Sequence, residues 1–128
     1  MANTARNPVK SVETTFKVLN ALRDLDGAGV TELAQHLDVP KSTIHNYLST
    51  LEQEEYVVKQ DGAYEVGLRF LELGAYARHH RKLFRIAKPE VDRLAEETGE
   101  LANILVEEHG RGSYLYRARG DKAVRVKA

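Results

Sequence analysis

Pro40 constrains this chain more than any other single residue, because of what stands on either side of it. Before it, Val30, Leu33, Ala34 and Leu37 recur at i, i+3, i+4 and i+7, the spacing of one apolar helix face. After it, Ile44, Leu48 and Leu51, flanked by Tyr47, make a second such stripe. A proline biases the preceding residue, here Val39, away from helix and suits the first turn of the next one. The stretch predicts a helix from about Thr31 to Leu37 with Thr31 as its cap, a break at Asp38-Val39-Pro40, and a helix from about Lys41 to Gln53.

The flanking sequence extends the pattern. From Val9 a helical period places Val12, Phe16 and Leu19 in one row and Val18, Leu22 and Leu25 beside it. Together they cover about half of the helix circumference. A single core-facing stripe needs only ~100°. This first helix is therefore expected to pack on two sides, until Asp26-Gly27-Ala28-Gly29 ends it. Downstream, Tyr56–Gln60 and Ala63–Val66 are β-prone runs joined at Asp61-Gly62, where glycine supplies the positive φ of a tight hairpin turn. Helix, helix, helix, hairpin is the order of a winged helix-turn-helix.

Beyond Gly67 the sequence predicts a helix from Leu68 to about His80, with Phe70, Leu71, Leu73 and Ala77 apolar. A further helix is expected from about Pro89 to Thr98, stopped by Gly99. Strands follow at Leu101–Glu108 and Ser113–Arg119 around His109-Gly110-Arg111-Gly112, with a last one near Ala123–Lys127. The expected fold class is mainly α with a β-hairpin wing, followed by a linker helix and a partial α/β unit. The domain boundaries are 9–67, 68–88 and 89–128. The last unit reads as incomplete, because so few strands leave sheet edges unpaired.

Composition narrows the function. With 128 residues and 42% apolar content, one or two small domains can build a core. The absence of cysteine excludes disulfides and thiolate metal sites and suits a reducing cytoplasm. No apolar run approaches the ~18 residues of a membrane span, and no apolar leader is visible, so a cytoplasmic location without membrane attachment is expected. Net charge is zero but unevenly spread: residues 1–66 carry 6 Lys/Arg against 10 Asp/Glu, and residues 67–88 carry 6 against 1. Phosphate attraction, which scales with the number of phosphates neutralised, is modest for such a chain. Binding to DNA would lean on dimerisation and on contacts within a groove.

The helix after Pro40 has the surface for such contacts. Opposite Ile44 stand Ser42, Asn46, Ser49 and Gln53, flanked by His45 and Thr50, all of them hydrogen-bonding side chains. In helix-turn-helix docking the N-terminal part of the second helix meets the base edges, which selects Lys41, Ser42, Thr43, His45 and Asn46, with Ser49 a turn further on. Asn46 suits bidentate pairing with adenine, and Lys41 or His45 suits guanine or phosphate. Glu52, Glu54 and Glu55 would repel phosphate from the other end. Thr31 serves equally as a helix cap or a phosphate contact. Lys59 in the hairpin serves as a backbone contact or as edge protection. Arg6 in the N-terminal arm and Lys10 complete the expected DNA-facing set. The same polar face also suits simple solvation, and it is the turn, the preceding helix and the hairpin that favour the DNA reading.

Other signals are weaker. His79-His80, with His109 and Glu107-Glu108, lacks a fixed third ligand, so no metal and no cofactor are expected. The basic run from Arg78 to Lys88 fits DNA backbone or anionic lipid no better than a solvated helix end. No glycine-rich phosphate loop and no nucleophile–base pair with an orienting carboxylate is visible, so enzyme activity is not expected.

The stretch VTELAQHLDVPKSTIHNYLSTLEQEEYV at Val30–Val57 resembles the IclR family of transcriptional regulators. So do YEVGLRFLELG at Tyr64–Gly74 and KPEVDRLAEETGELANILVEEHGRGSYLYRARG at Lys88–Gly120. The likeness runs from about residue 9 to 128. It implies an N-terminal winged helix, a linker helix at Leu68–His80 and, from Pro89, the opening of a GAF-like effector-binding domain. It also implies a homodimer paired through the first and linker helices, here through Phe16, Leu19, Phe70, Leu71 and Leu73, on a roughly palindromic operator in double-stranded DNA. A small-molecule effector is implied only where a whole effector domain exists, and the sequence reads as an excised fragment or a shortened regulator. Glu55 stands where the family usually has glycine. A competing reading is a winged-helix protein-interaction or dimerisation module without specific DNA binding, which the acidic balance of residues 1–66 favours.

Overall fold

The structure, a computed structural model, describes residues 4–123. Two compact units divide between Glu72 and Leu73.

The first unit holds α1 (Lys10–Asp24), α2 (Val30–Leu37), α3 (Lys41–Gln53), β1 (Val57–Gln60) and β2 (Ala63–Val66). Its core is built from the stripes that flank Pro40. Leu33 of α2, Ile44 and Leu48 of α3, Val18 and Leu22 of α1 and Val57 of β1 are all fully buried. Burying each such side chain stabilises the fold by about 1.5–3 kcal/mol. The second row of the wide α1 face turns inward only at Leu19, since Val12 and Phe16 remain 51% and 58% exposed.

The hairpin pairs Val57 with Val66 and Gln60 with Ala63. Asp61 and Gly62 take φ of 52° and 80° at its tip, as a two-residue loop matched to the strand twist requires. Ala28 adds a one-residue third strand by exchanging both backbone hydrogen bonds with Tyr64 at 2.8 and 3.0 Å. Helix α2 begins at Val30, with Gly29 extended before it and no side-chain cap. Leu33 N–H already bonds Gly29 C=O at 3.1 Å. Thr31 is therefore the second helical residue and does not cap.

The second unit contains most of α4 (Phe70–His80), then α5 (Lys82–Thr98), β3 (Leu101–Glu108) and β4 (Arg111–Arg119). The last two form an antiparallel pair in which Ile104 faces Tyr116 but Leu105 faces Tyr114, so Leu115 bulges out of register. Helix α5 packs on this pair through Phe84 and Ala95, and Ala102 of β3 is buried with them.

Helix α5 starts seven residues before the expected position and carries Pro89 inside it. The boundary drawn between residues 88 and 89 thus falls within a continuous helix. Proline in a helix interior costs about 3 kcal/mol. Against that cost runs an unbroken inward row of Phe84, Ala87, Val91 and Ala95, buried or half-buried throughout, which only a helix passing through Pro89 can align. Gly99, with φ of 74°, closes α5 as its left-handed stop. The expected last strand near Ala123–Lys127 lies, beyond Ala123, outside the described residues.

Candidate nucleic-acid interface

The outward side of α3 carries Lys41, Ser42, His45, Asn46 and Ser49, all exposed, while Thr43 is half-buried beside Ile44. The first turn holds no acidic residue and no side-chain cap. Its leading N–H groups lack acceptors within the helix, and Ile44 N–H is the first to bond back, to Pro40 C=O at 3.1 Å. Free N–H groups, the positive end of the helix dipole and the Lys41 ammonium therefore coincide at one place, a combination that favours an anion. Glu52, Glu54 and Glu55 sit at the opposite end.

Asn46 does not stand alone on open surface. Its backbone carbonyl accepts from the Thr50 hydroxyl at 2.8 Å. With Tyr47, Thr50 and Leu51 it lines a shallow groove of about 390 Å³ whose other wall is Ser11 and Thr15 of α1. Sequence reasoning missed those two residues. Their only signal was polarity on the far side of α1, and their neighbourhood with α3 is a tertiary fact. Thr15 donates to Ser11 C=O at 2.7 Å.

The remaining expected residues are spread around this helix. Thr31 is exposed near the start of α2, and Arg6 and Lys10 are exposed before and at the start of α1. Lys59 is exposed on β1, its ammonium 5.4 Å from the centre of the Tyr64 ring.

Of the apolar residues expected to pair two subunits, Phe16, Leu19 and Phe70 come together. They line a groove of about 480 Å³ with Leu22, Val66 and Arg23. Leu71 and Leu73 do not line it and stand exposed on α4. Phe70 also rests against Tyr56, ring centres 4.7 Å apart.

At the junction of α3 with the hairpin, Glu55 takes φ of 70°. The left-handed bend that glycine usually supplies in such a place is thus made here by a glutamate, whose carboxylate pairs with Arg69. His79 and His80 go separate ways: His79 Nδ1 lies 2.7 Å from Ala75 C=O, and His80 stacks on Tyr76. Among the described residues no group of three potential metal ligands is found.

Three packed helices, an α3 opened by proline and a hairpin stitched to Ala28 define a winged helix-turn-helix domain. Residues 11–61 match the IclR helix-turn-helix domain. It is 34% identical over 91% of its length to the probable HTH-type transcriptional regulator ArcR of Halobacterium salinarum, covering 44% of that protein. It is 32% identical over 80% of its length to the transcriptional repressor IclR of Escherichia coli, covering 38%. The chain thus spans less than half of these relatives. Among solved structures it resembles an IclR regulator from Alicyclobacillus acidocaldarius, with 28% identity and a TM-score of 0.75 over 95% of this chain and 51% of that one. It also shares the fold of the Thermotoga maritima IclR protein, with 20% identity and a TM-score of 0.76 over 92% and 49%.

Proposed function

We propose that this chain is the DNA-reading part of an IclR-type transcriptional regulator, with α3 entering the major groove of an operator. One observation carries the reading: a three-helix core holds out a face of hydrogen-bonding side chains that is almost free of formal charge. Such a face is poor at general phosphate attraction and suited to base edges. Asn46, His45, Ser42 and Lys41 read bases, with Ser49 behind them and Thr43 supporting from its half-buried position. Thr31, Lys10, Arg6 and Lys59 hold backbone or minor groove. Two copies pair through the Phe16, Leu19 and Phe70 groove, with Leu71 and Leu73 of α4 extending the apolar contact.

The domain assignment follows from the same reading. Residues 9–67 form the DNA-binding domain and the linker begins at residue 68. With α5 the chain opens a GAF-like effector-binding domain, and a small-molecule effector acts where that domain is whole. The protein works in the cytoplasm and is not an enzyme. No described helix is long and apolar enough to cross a membrane.

Titration against a random DNA pool and genomic fragments at several salt concentrations, followed by sequencing of the bound fraction, tests this. The expected result is a negative log–log salt slope and a preferred, roughly palindromic site bound ~10³-fold or more above random DNA. Absence of any salt-dependent binding would overturn the reading and favour the protein-interaction module.

A further inference from the structure

Five contacts converge where α3 hands over to the hairpin. The Arg69 guanidinium pairs with the Glu55 carboxylate. It also donates to Glu54 C=O at 3.5 Å and lies 5.4 Å from the centre of the Tyr56 ring. Gly67 N–H donates to Tyr56 C=O at 2.8 Å. Phe70 packs against Tyr56, ring centres 4.7 Å apart, and a Cβ on Gly67 would stand 3.0 Å from the Tyr56 carbonyl. Within this knot Glu55 takes a left-handed conformation that costs a non-glycine residue about 1–2 kcal/mol.

We propose that Arg69 is a positioning residue, which holds Glu55 in its left-handed bend and so fixes the angle between the DNA-reading helix and the wing. The bend is where the chain direction changes, so an error of a few degrees there displaces the wing, with Lys59 on its first strand, relative to α3. Arg69 supplies the counter-charge, the carbonyl donor and the cation over Tyr56 from one side chain. Its second carboxylate neighbour, Glu72 at 3.7 Å, is one turn along its own segment. The competing role for an arginine near a DNA-binding helix is direct contact with phosphate, and the two roles make opposite forecasts.

The inference rests on the DNA-binding reading for its consequence but not for its test. Arg69→Met is made in the intact chain and again in a Glu55→Gly background, where glycine adopts the bend unaided. Amide hydrogen exchange is measured at Tyr56 and Gly67, and affinity is measured for the selected DNA site. In the natural background Arg69→Met is expected to speed exchange at Gly67 and weaken DNA binding, each by roughly fivefold, the upper range for one exposed ion pair. In the Glu55→Gly background both effects should shrink to under about twofold, the signature of coupled residues. Equal losses of affinity in the two backgrounds would overturn the proposal and make Arg69 a phosphate contact. Unchanged exchange in the first background would overturn it as well. If the parent chain bound no DNA, the function reading would fail, and the exchange data would still decide the role of Arg69.

Discussion

Lys88 and Asp92, one turn apart on α5, are joined at 2.8 Å from Nζ to Oδ2, and the Tyr116 hydroxyl of β4 donates to the other oxygen of the same carboxylate. The Lys88 ammonium lies 5.0 Å from the centre of the Tyr116 ring. The Lys88 hydrogen bond, and after it that of Tyr116, holds the Asp92 carboxyl below its ordinary value. The hydrogen bond to Asp92 raises the Lys88 ammonium above its own. A depressed carboxyl stabilises the fold above its unfolded value near 3.8, and that contribution is lost as pH falls through the folded value. A raised ammonium contributes below 10.5 and is lost as pH rises through its folded value. Thermal unfolding across pH should therefore show this pair helping between those limits and fading beyond either. Asp92→Asn should lose the acid-side fall that the pair causes, and matching acid limbs in the two proteins would discount it.

Asn46→Ala should relax sequence preference at one base pair in each half of the site, by about 1–3 kcal/mol of discrimination. Binding selection repeated with the variant reads this directly. A loss of affinity spread evenly over all sequences would remove Asn46 from base reading.

Leu48 has no exposed surface and sits between α3 and the rest of the first unit's core. Leu48→Ala should destabilise that unit by about 2–5 kcal/mol, the range for a cavity left by a buried leucine. Denaturant unfolding measures it, and a cost under about 1 kcal/mol would mean the core closes over the gap.

Phe16 is 58% exposed at the mouth of the groove it shares with Leu19 and Phe70. A charge placed there opposes burial against a second copy. Phe16→Glu should convert a dimer to monomer in sedimentation while leaving the helical content intact. A parent chain that sediments as a monomer would take the groove out of subunit pairing.

The sequence punctuates itself well wherever a break carries a backbone requirement. Pro40 and Asp61-Gly62 mark α3 and the hairpin at the residues where they occur, because a fixed φ and a positive φ leave little choice. Pro89 misleads for the same reason. Read locally it opens a helix, whereas the buried row from Phe84 to Ala95 outweighs its cost. The left-handed glutamate at 55 left no local mark, nor did the strand pairing of Ala28 with Tyr64. The polar face of α3 was legible from its 100° periodicity. The wall that Ser11 and Thr15 build beside Asn46 was not, since it depends on how α1 crosses α3.

Glutamate and glycine codons differ by a single base at their middle position. A relaxed backbone at residue 55 is therefore always one mutational step away, and taking that step would exchange a conformational strain for the loss of a charge partner to Arg69. The chain thus holds a nearby route to a stiffer or looser wing without any change to the side chains that would touch DNA.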